Sequence, residues 1–439
     1  MAISDVMQFV QENDVKFIRL AFCDIFGTQK NIAIPPDQLL RAFHTGISFD
    51  ASAVRGFLDT AQSDLFLVPD PAALSVLPWR PAHGRVVRLF CNIRYPDGRP
   101  FEGDVRYLLR KAADRATNQG WSFQVGPECE FYLFLTDEKG FPTLEPHDRA
   151  GYCDVAPYDR GENVRREICL SLEEMGVIPE SSHHEQGPGQ NEIDFAKDSP
   201  LAAADNLMAF RSAVKAAAAN NGLYASFLPK PLEKESGSGL HINLSLYKEG
   251  CNLFEGFGHM PAPQAKSFTQ GILRRAAEIS AFLNPLANSY CRLGEWEAPR
   301  YISWSCQNRS QLVRVPAAAG EYSRIEVRQA DPACNPYLAV LLLLEAGLEG
   351  LEEKLELEPA TDENLYRAAA GKPDMAKLPE NLGEALEQAH KSSFLKRVLP
   401  APLLERYLAK KDMEWEWECT HVGQPYSYSS LVKRYLDRI

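Results

Sequence analysis

No stretch of this 439-residue chain is apolar for long. The longest apolar run, Tyr337 to Leu344, falls far short of the roughly 20 residues a membrane-spanning helix needs. The first fifteen residues, MAISDVMQFVQENDV, are amphipathic and acidic and do not read as a signal peptide. Bases are in deficit: 47 Lys and Arg stand against 59 Asp and Glu, a net charge of −12. That balance argues against a nucleic-acid face. It suits a small anionic substrate only where the site brings its own cations, metal or arginine. The ten cysteines are scattered with no C-x-x-C pair, which fits reduced thiols in a cytosolic protein better than a disulfide framework. No low-complexity tract or internal repeat is present. A G-x-x-x-x-G-K-[ST] loop, a G-x-S-x-G elbow and an HExxH helix are all absent, so the chemistry of those motifs is set aside.

What remains is a soluble globular composition, 45% apolar and 24% charged, in a chain longer than one core usually serves. VKFIRLAFCDIFGTQKNIAIP reads as two strands around the polar turn Asp24 to Gly27, and residues 76 to 95 give further strand-like runs. Pro96 to Asp104 is rich in turn formers. A helix is expected from about Val105 to Asn118. The division is therefore a strand-rich domain at 1–100 and a larger mixed domain at 104–439. Helices are expected at GENVRREICLSLEEMG, at LAAADNLMAFRSAVKAAAANNG, and over 338–356 and 379–410.

Between those helices lie short segments that put acids on one face. In VGPECEFYLF, Glu128 and Glu130 project one way, Phe131 and Leu133 the other. In GSGLHINLSL, His241, Asn243 and Ser245 share a face. In SRIEVRQADP, Arg324, Glu326 and Arg328 do. A lone strand histidine is usually structural, and Arg-x-Glu-x-Arg alone would pass for a surface ladder. Recurrence changes the weight. Glu128, Glu130, Glu185, Glu192, Glu326 and His241 all fall on strand-like segments with an apolar opposite face. Five carboxylates and one imidazole form an oxygen-rich donor set, suited to Mg²⁺ or Mn²⁺ and not to structural zinc. Arg292, Arg309, Arg314, Arg324 and Arg328 cluster in one third of the chain. Divalent metals with many arginines make a phosphoryl-transfer composition.

These segments resemble the glutamine synthetase family, in particular its shorter bacterial type I members. FDASAVRGF, GPECEFYLF, GYCDVAPYDRGENVRREI, SSHHEQGPGQNEIDF, FLPKPLEKESGSGLHINLSL, NSYCRLGEWEAPRYISWSCQNRSQLVRVP and RIEVRQADPACNPYLA occur in the family's order over nearly the whole chain. The resemblance implies an α+β fold: an N-terminal β-grasp-like domain, then a catalytic domain with a curved antiparallel sheet flanked by helices. It implies a dodecamer of two stacked hexameric rings in the cytoplasm, with active sites shared between subunits. It implies ATP as co-substrate and two or three Mg²⁺ or Mn²⁺ per site. Glu130, Glu185 and Glu192 would hold one metal, and Glu128, His241 and Glu326 another. Gly187-Pro188-Gly189 would turn the chain so that Glu185 and Glu192 reach one ion. His183 and His184 would support the neighbouring strand. Arg309, Arg314 and Arg324 would meet the nucleotide phosphates, and Glu180, Asn243 and Ser245 the nucleotide. Arg292, Arg328 and the Gly237 backbone would hold glutamate. Glu297 would close over the intermediate on a flap. Ammonium would bind beside Tyr152, Glu185 and an Asp50 supplied by the neighbouring subunit. The implied product is glutamine, formed through γ-glutamyl phosphate.

Three positions depart from the family's pattern. Ala53 stands where it has a second serine near the ammonium pocket. The flap RLGEWEAP is one residue shorter and adds Glu295 and Trp296. Ser236 replaces an asparagine of the glutamate site. Each touches substrate or amine handling, and none touches the six metal positions. A ligase joining glutamate to a polyamine or alkylamine is therefore the alternative reading, and a catalytically inactive structural or regulatory ring a further one. Tyr366 matches a tyrosine that longer type I members modify by adenylylation, and its modification here is left open.

Overall fold

The computed structural model describes residues 1–80, 83–368, 375–421, 428–436 and 439. The first sheet is built from β1 (Val15–Cys23), β2 (Gln29–Ile34), β3 (Ile47–Asp50), β4 (Asp64–Val76) and β5 (Arg85–Arg94), in the order β2-β1-β5-β4-β3. β1 and β5 run parallel, and the other neighbours are antiparallel. β1 and β2 flank the expected turn, where Asp24 accepts from the amides of Phe26 (3.0 Å) and Thr28 (2.9 Å). Sequence reading passes over β3 and β4, and in β4 Pro69-Asp70-Pro71 looks like a turn. The strand survives it by a register shift between Pro69 and Leu74, the bulge at which a sheet tolerates proline.

The helix Val105–Asn118 starts at Asp104, whose carboxylate accepts from Tyr107 N (3.1 Å) and, from the first domain, Ile93 N (2.7 Å). Beyond it lie β6 (Trp121–Thr136), β7 (Pro142–Pro146), β8 (Pro179–His184), β9 (Gln190–Phe195), β10 (Leu223–Ser226), β11 (Leu240–Lys248), β12 (Cys251–Asn252), β13 (Trp304–Cys306), β14 (Val313–Val315) and β15 (Ile325–Val327). The main order is β13-β14-β15-β11-β6-β9-β8. β7 and β10 pair with β6, and β12 with β11. All neighbours are antiparallel except β13 and β14, which are parallel. The expected antiparallel sheet thus holds everywhere but at that edge.

β6 is the spine. On one side Phe131 packs against Phe210 of the helix Pro200–Asn220 and against Phe227, with ring centroids 6.0 and 5.9 Å apart. Its opposite side carries the acids. The long C-terminal helix expected over 379–410 is three helices, Leu382–Lys391, Ser393–Val398 and Ala401–His421. Ser392 caps the second, and Pro400 precedes the third. Among the described residues no helix is long and apolar enough to cross a membrane.

Candidate active site

Sheet register assembles the site. Ser181 pairs with Asp194, Asp194 with Glu128, and Glu128 with His241, one row across β8, β9, β6 and β11. Two residues along, His183 pairs with Glu192 and Glu192 with Glu130. Side chains two apart share a face, so the two rows form one acidic surface. On the far side Asn243 pairs with Glu326, and Glu326 with Arg314. Glu185 is no longer on a strand; it follows β8 into the turn. That turn needs Gly189, which has φ +69° and whose Cβ would lie 2.7 Å from Leu133 O.

Two groups of donor atoms gather within 4.8 Å of one another: Glu128, His241 and Glu326, and His183, Glu185 and Glu192. His241 Nδ1 lies 3.2 Å from Glu128 and 3.7 Å from Glu326. His183 lies 3.6 Å from Glu185 and 3.8 Å from Glu192. Glu130 sits between the groups. It accepts from Gln190 Nε2 (2.8 Å) and Gly239 N (2.9 Å), and lies 3.9 Å from His241. A third group adds Asp194 to Glu128 and Glu192.

Crowding of like charge in a dry face shows in the acids themselves. Burial, then the charge of Glu185, push Glu130 up to about 8. Burial, then Glu130, raise Glu192 well above the carboxylate range, and burial takes Asp194 to about 6. Burial would raise Glu128 too, but hydrogen bonds from His241 and Asn243 win and hold it at about 2. Burial and the charge of Arg328 lower His241, which favours the neutral imidazole that binds a metal. Carboxylates at such separations are reconciled by a cation, and Asp194 Oδ1 is buried with no hydrogen-bond partner. The donor set therefore fits hard divalent ions.

Two cavities meet over this face. The larger, about 540 Å³, is lined by the six acid and imidazole candidates except Glu326, and by Tyr152, Gly237, Arg292, Glu297, Arg309, Arg314, Arg324 and Arg328. The smaller, about 200 Å³, is lined by Glu180, Asn243, Ser245 and Arg324. Glu128, Asp194 and Arg324 line both. Glu326 lies beneath, fully buried, with Arg314 and Arg328 donating to its two oxygens. Arg328 also donates to Glu297 O (3.2 Å), and Arg324 to Asn243 Oδ1 (2.9 Å). Ser245 spends its hydroxyl on Ser323 O (3.0 Å).

Asp50 is not brought to either cavity. It sits exposed at the end of β3, where Ser52 donates to it through N (2.9 Å) and Oγ (2.6 Å). Those bonds hold its carboxyl below the ordinary range. Tyr366 packs with its hydroxyl buried and unpartnered, near the charges of Arg328, Glu297 and Arg292. Sequence reading missed Asp194, Gln190, Lys197 and Tyr322, all lining these cavities. For Asp194 a signal existed: Glu192-x-Asp194 repeats the Glu128-x-Glu130 alternation.

Paired acid groups, arginines on both sides and two cavities that share lining residues fit a metal-assisted phosphoryl-transfer site. Family models narrow the class. One described as "Glutamine synthetase, beta-Grasp domain" matches residues 14–96, and one described as "Glutamine synthetase, catalytic domain" matches 102–427. The chain belongs to the glutamine synthetase family, whose members use ATP and divalent metals. A glutamine synthetase of Methanosarcina mazei is 45% identical over 99% of this chain and 98% of its own. One from Staphylococcus aureus is 42% identical over 98% of each. Among solved structures, a GmaS/ADP complex superposes with a TM-score of 0.86 at 30% identity, over 96% of this chain and 99% of that one. The Plasmodium falciparum glutamine synthetase, at 22% identity and TM-score 0.85 over 98% of each chain, shares the fold.

Proposed function

We propose that this protein makes glutamine, joining ammonia to the γ-carboxylate of glutamate at the expense of ATP. The observation that carries the reading is the junction of the two cavities at Glu128, Asp194 and Arg324. A nucleotide in the smaller cavity, beside Glu180, Asn243 and Ser245, would present its γ-phosphate to an amino acid in the larger one. Arg292, Arg328 and the Gly237 backbone hold the glutamate, and Arg309, Arg314 and Arg324 the phosphates. A γ-carboxylate oxygen attacks the γ-phosphorus, the bond to ADP breaks, and an acyl phosphate forms. Ammonium beside Tyr152, Glu185 and a neighbouring copy's Asp50 gives up a proton. Its nitrogen attacks the acyl carbon, phosphate leaves, and the nitrogen gives up a second proton to the departing phosphate, which leaves the neutral amide. Glu297 covers the intermediate from water. Glu130, Glu185 and Glu192 would hold one Mg²⁺ or Mn²⁺, and Glu128, His241 and Glu326 another. When bound, these ions neutralise charge on the transferring phosphoryl group. The working form is a cytoplasmic dodecamer of two hexameric rings, with domains divided at 100–104.

A larger amine is the second reading. Two observations favour it: Ala53 lacks a hydroxyl close to Asp50 in the chain, and the half-exposed Trp296 lines the main cavity. Phosphate release with ATP, Mg²⁺ and glutamate, compared across ammonium, methylamine, ethanolamine and putrescine, separates the two. Ammonium should give the highest kcat/KM. Turnover with an alkylamine and none with ammonium would overturn the assignment.

A further inference from the structure

Behind the acidic face lies a second cluster, Asp148, Asp159 and His184, all buried and with donor atoms within 4.8 Å of one another. Its hydrogen bonds say it is not a metal site. His184 is fully buried. Its Nε2 lies 2.8 Å from Asp148 Oδ1, and its Nδ1 2.7 Å from Glu185 O. A carbonyl oxygen can only accept. Asp148 accepts through both oxygens, from Gly189 N at 2.9 Å and Arg160 N at 3.0 Å. Burial opposes its ionisation, yet the His184 contact and those amides hold it at about 2. Both ring nitrogens are therefore engaged within the protein, and neither is left open to an ion.

The partners of this pair belong to different parts of the site. Glu185 is a candidate ligand, and Gly189 is the turn that returns the chain to Glu192. Cys153 N donates to His184 O (3.0 Å), which fixes the loop that carries Tyr152. At the far end Arg165 pairs with Asp159 and donates to Asn191 Oδ1 (2.6 Å), and Asn191 donates to Gly189 O (3.0 Å). The His184–Asp148 contact thus ties the turn between Glu185 and Glu192 to the loop on the amine side.

We propose that His184 and Asp148 form a positioning pair that makes the cation-binding turn and the Tyr152 loop move as one unit. The proposal rests on the site reading above, and its test does not depend on which amine is used. In the full-length protein, Asp148→Asn keeps the shape but sets an amide where two acceptors are needed. Mn²⁺ binding should weaken roughly 10–100-fold, the usual cost of losing a group that orients a ligand. Hydrogen exchange should quicken in residues 184–190 and 150–160 together, while the KM for ATP stays within about twofold of wild type. Arg165→Lys, a milder change at the far end, should quicken exchange in the same two segments with a smaller loss of Mn²⁺ affinity. It decides the matter should Asp148→Asn not fold. Unchanged Mn²⁺ affinity, or faster exchange in one segment alone, would overturn the proposal, even in a protein whose Tm had fallen.

Discussion

Glu326 shows how much one residue's role depends on what crosses to it from the next strand. In sequence it sits between Arg324 and Arg328, and all three share a face. In the fold Arg324 turns away to Asn243, and Arg314 arrives from β14 in its place. Glu326 is fully buried between Arg314 and Arg328. Removing a buried carboxylate strands its cations, a loss of about 3–5 kcal/mol, so Glu326→Ala tests folding as much as chemistry. Glu326→Gln keeps the volume and some hydrogen bonding. It should melt higher than Glu326→Ala, yet lose at least about 100-fold in turnover at saturating Mg²⁺, on the scale of removing one electrostatic stabiliser. Melting curves and phosphate release check both halves. A Gln variant with wild-type turnover would take Glu326 out of the reaction.

At the scale of elements, legibility followed chain period. β6 and β11 are long enough for alternation to declare a face, so Glu128, Glu130, His241 and Asn243 could be read from spacing alone. In β9 and β15 alternation names a face but not what it meets, and β8 and β14 are too short to name even that. Which of their residues meet is decided by register between segments far apart in the chain, as with Asp194 against Glu128 or Arg314 against Glu326. β4 was hidden by its prolines, and the C-terminal helices were run together because their periodicity outlasts their caps. Helix packing was equally illegible. The helices Pro263–Arg275 and Pro336–Glu353 touch through backbone: a Cβ on Gly350 would lie 2.0 Å from Ser267 O. That closeness brings Arg274 Nη2 to 2.8 Å and Arg275 Nε to 2.6 Å from Glu349, which Arg397 also grips. Burial would raise the Glu349 carboxyl, but hydrogen bonds from Arg275, Arg274 and Arg397 win and hold it at about 2, against an ordinary 4.5. A depressed carboxyl stabilises the fold above its unfolded pKa, and the contribution fades as pH falls from about 4.5 toward 2. Glu349→Gln should therefore lower the Tm at pH 7 by a few degrees, about 2 kcal/mol. The gap from wild type should narrow in melts at pH 3. An equal gap at both pH values would show that the arginines contribute through packing, not charge.

For the whole molecule, the question is where Asp50 acts. It lies at the end of β3, the edge strand of the first sheet, with its carboxylate ionised and aimed by Ser52. It lines neither cavity of its own chain. The first domain is not free to swing it there. Arg106 bridges Asp70 (2.9 Å) in the first domain to Asp205 (2.8 Å) in the second, and Asn335 donates to the carbonyls of Asp24 (3.1 Å) and Ile25 (3.3 Å). Meanwhile the loop beside the main cavity exposes Tyr152, Val155 and Tyr158, apolar surface of the kind that a neighbouring subunit covers. If a second copy completes each site, two different lesions can be placed on two chains and one intact site still form between them. Asp50→Ala and Glu326→Gln proteins should each be inactive alone. After subunit exchange at equal amounts, about a quarter of the head-to-tail junctions in a ring should join an intact Asp50 to an intact Glu326. Activity should recover toward about a quarter of wild type by that count, and native mass spectrometry can verify that the rings are mixed. Mixed rings with no recovered activity would mean that Asp50 and Glu326 serve the same chain's site, and the shared-site reading would fall.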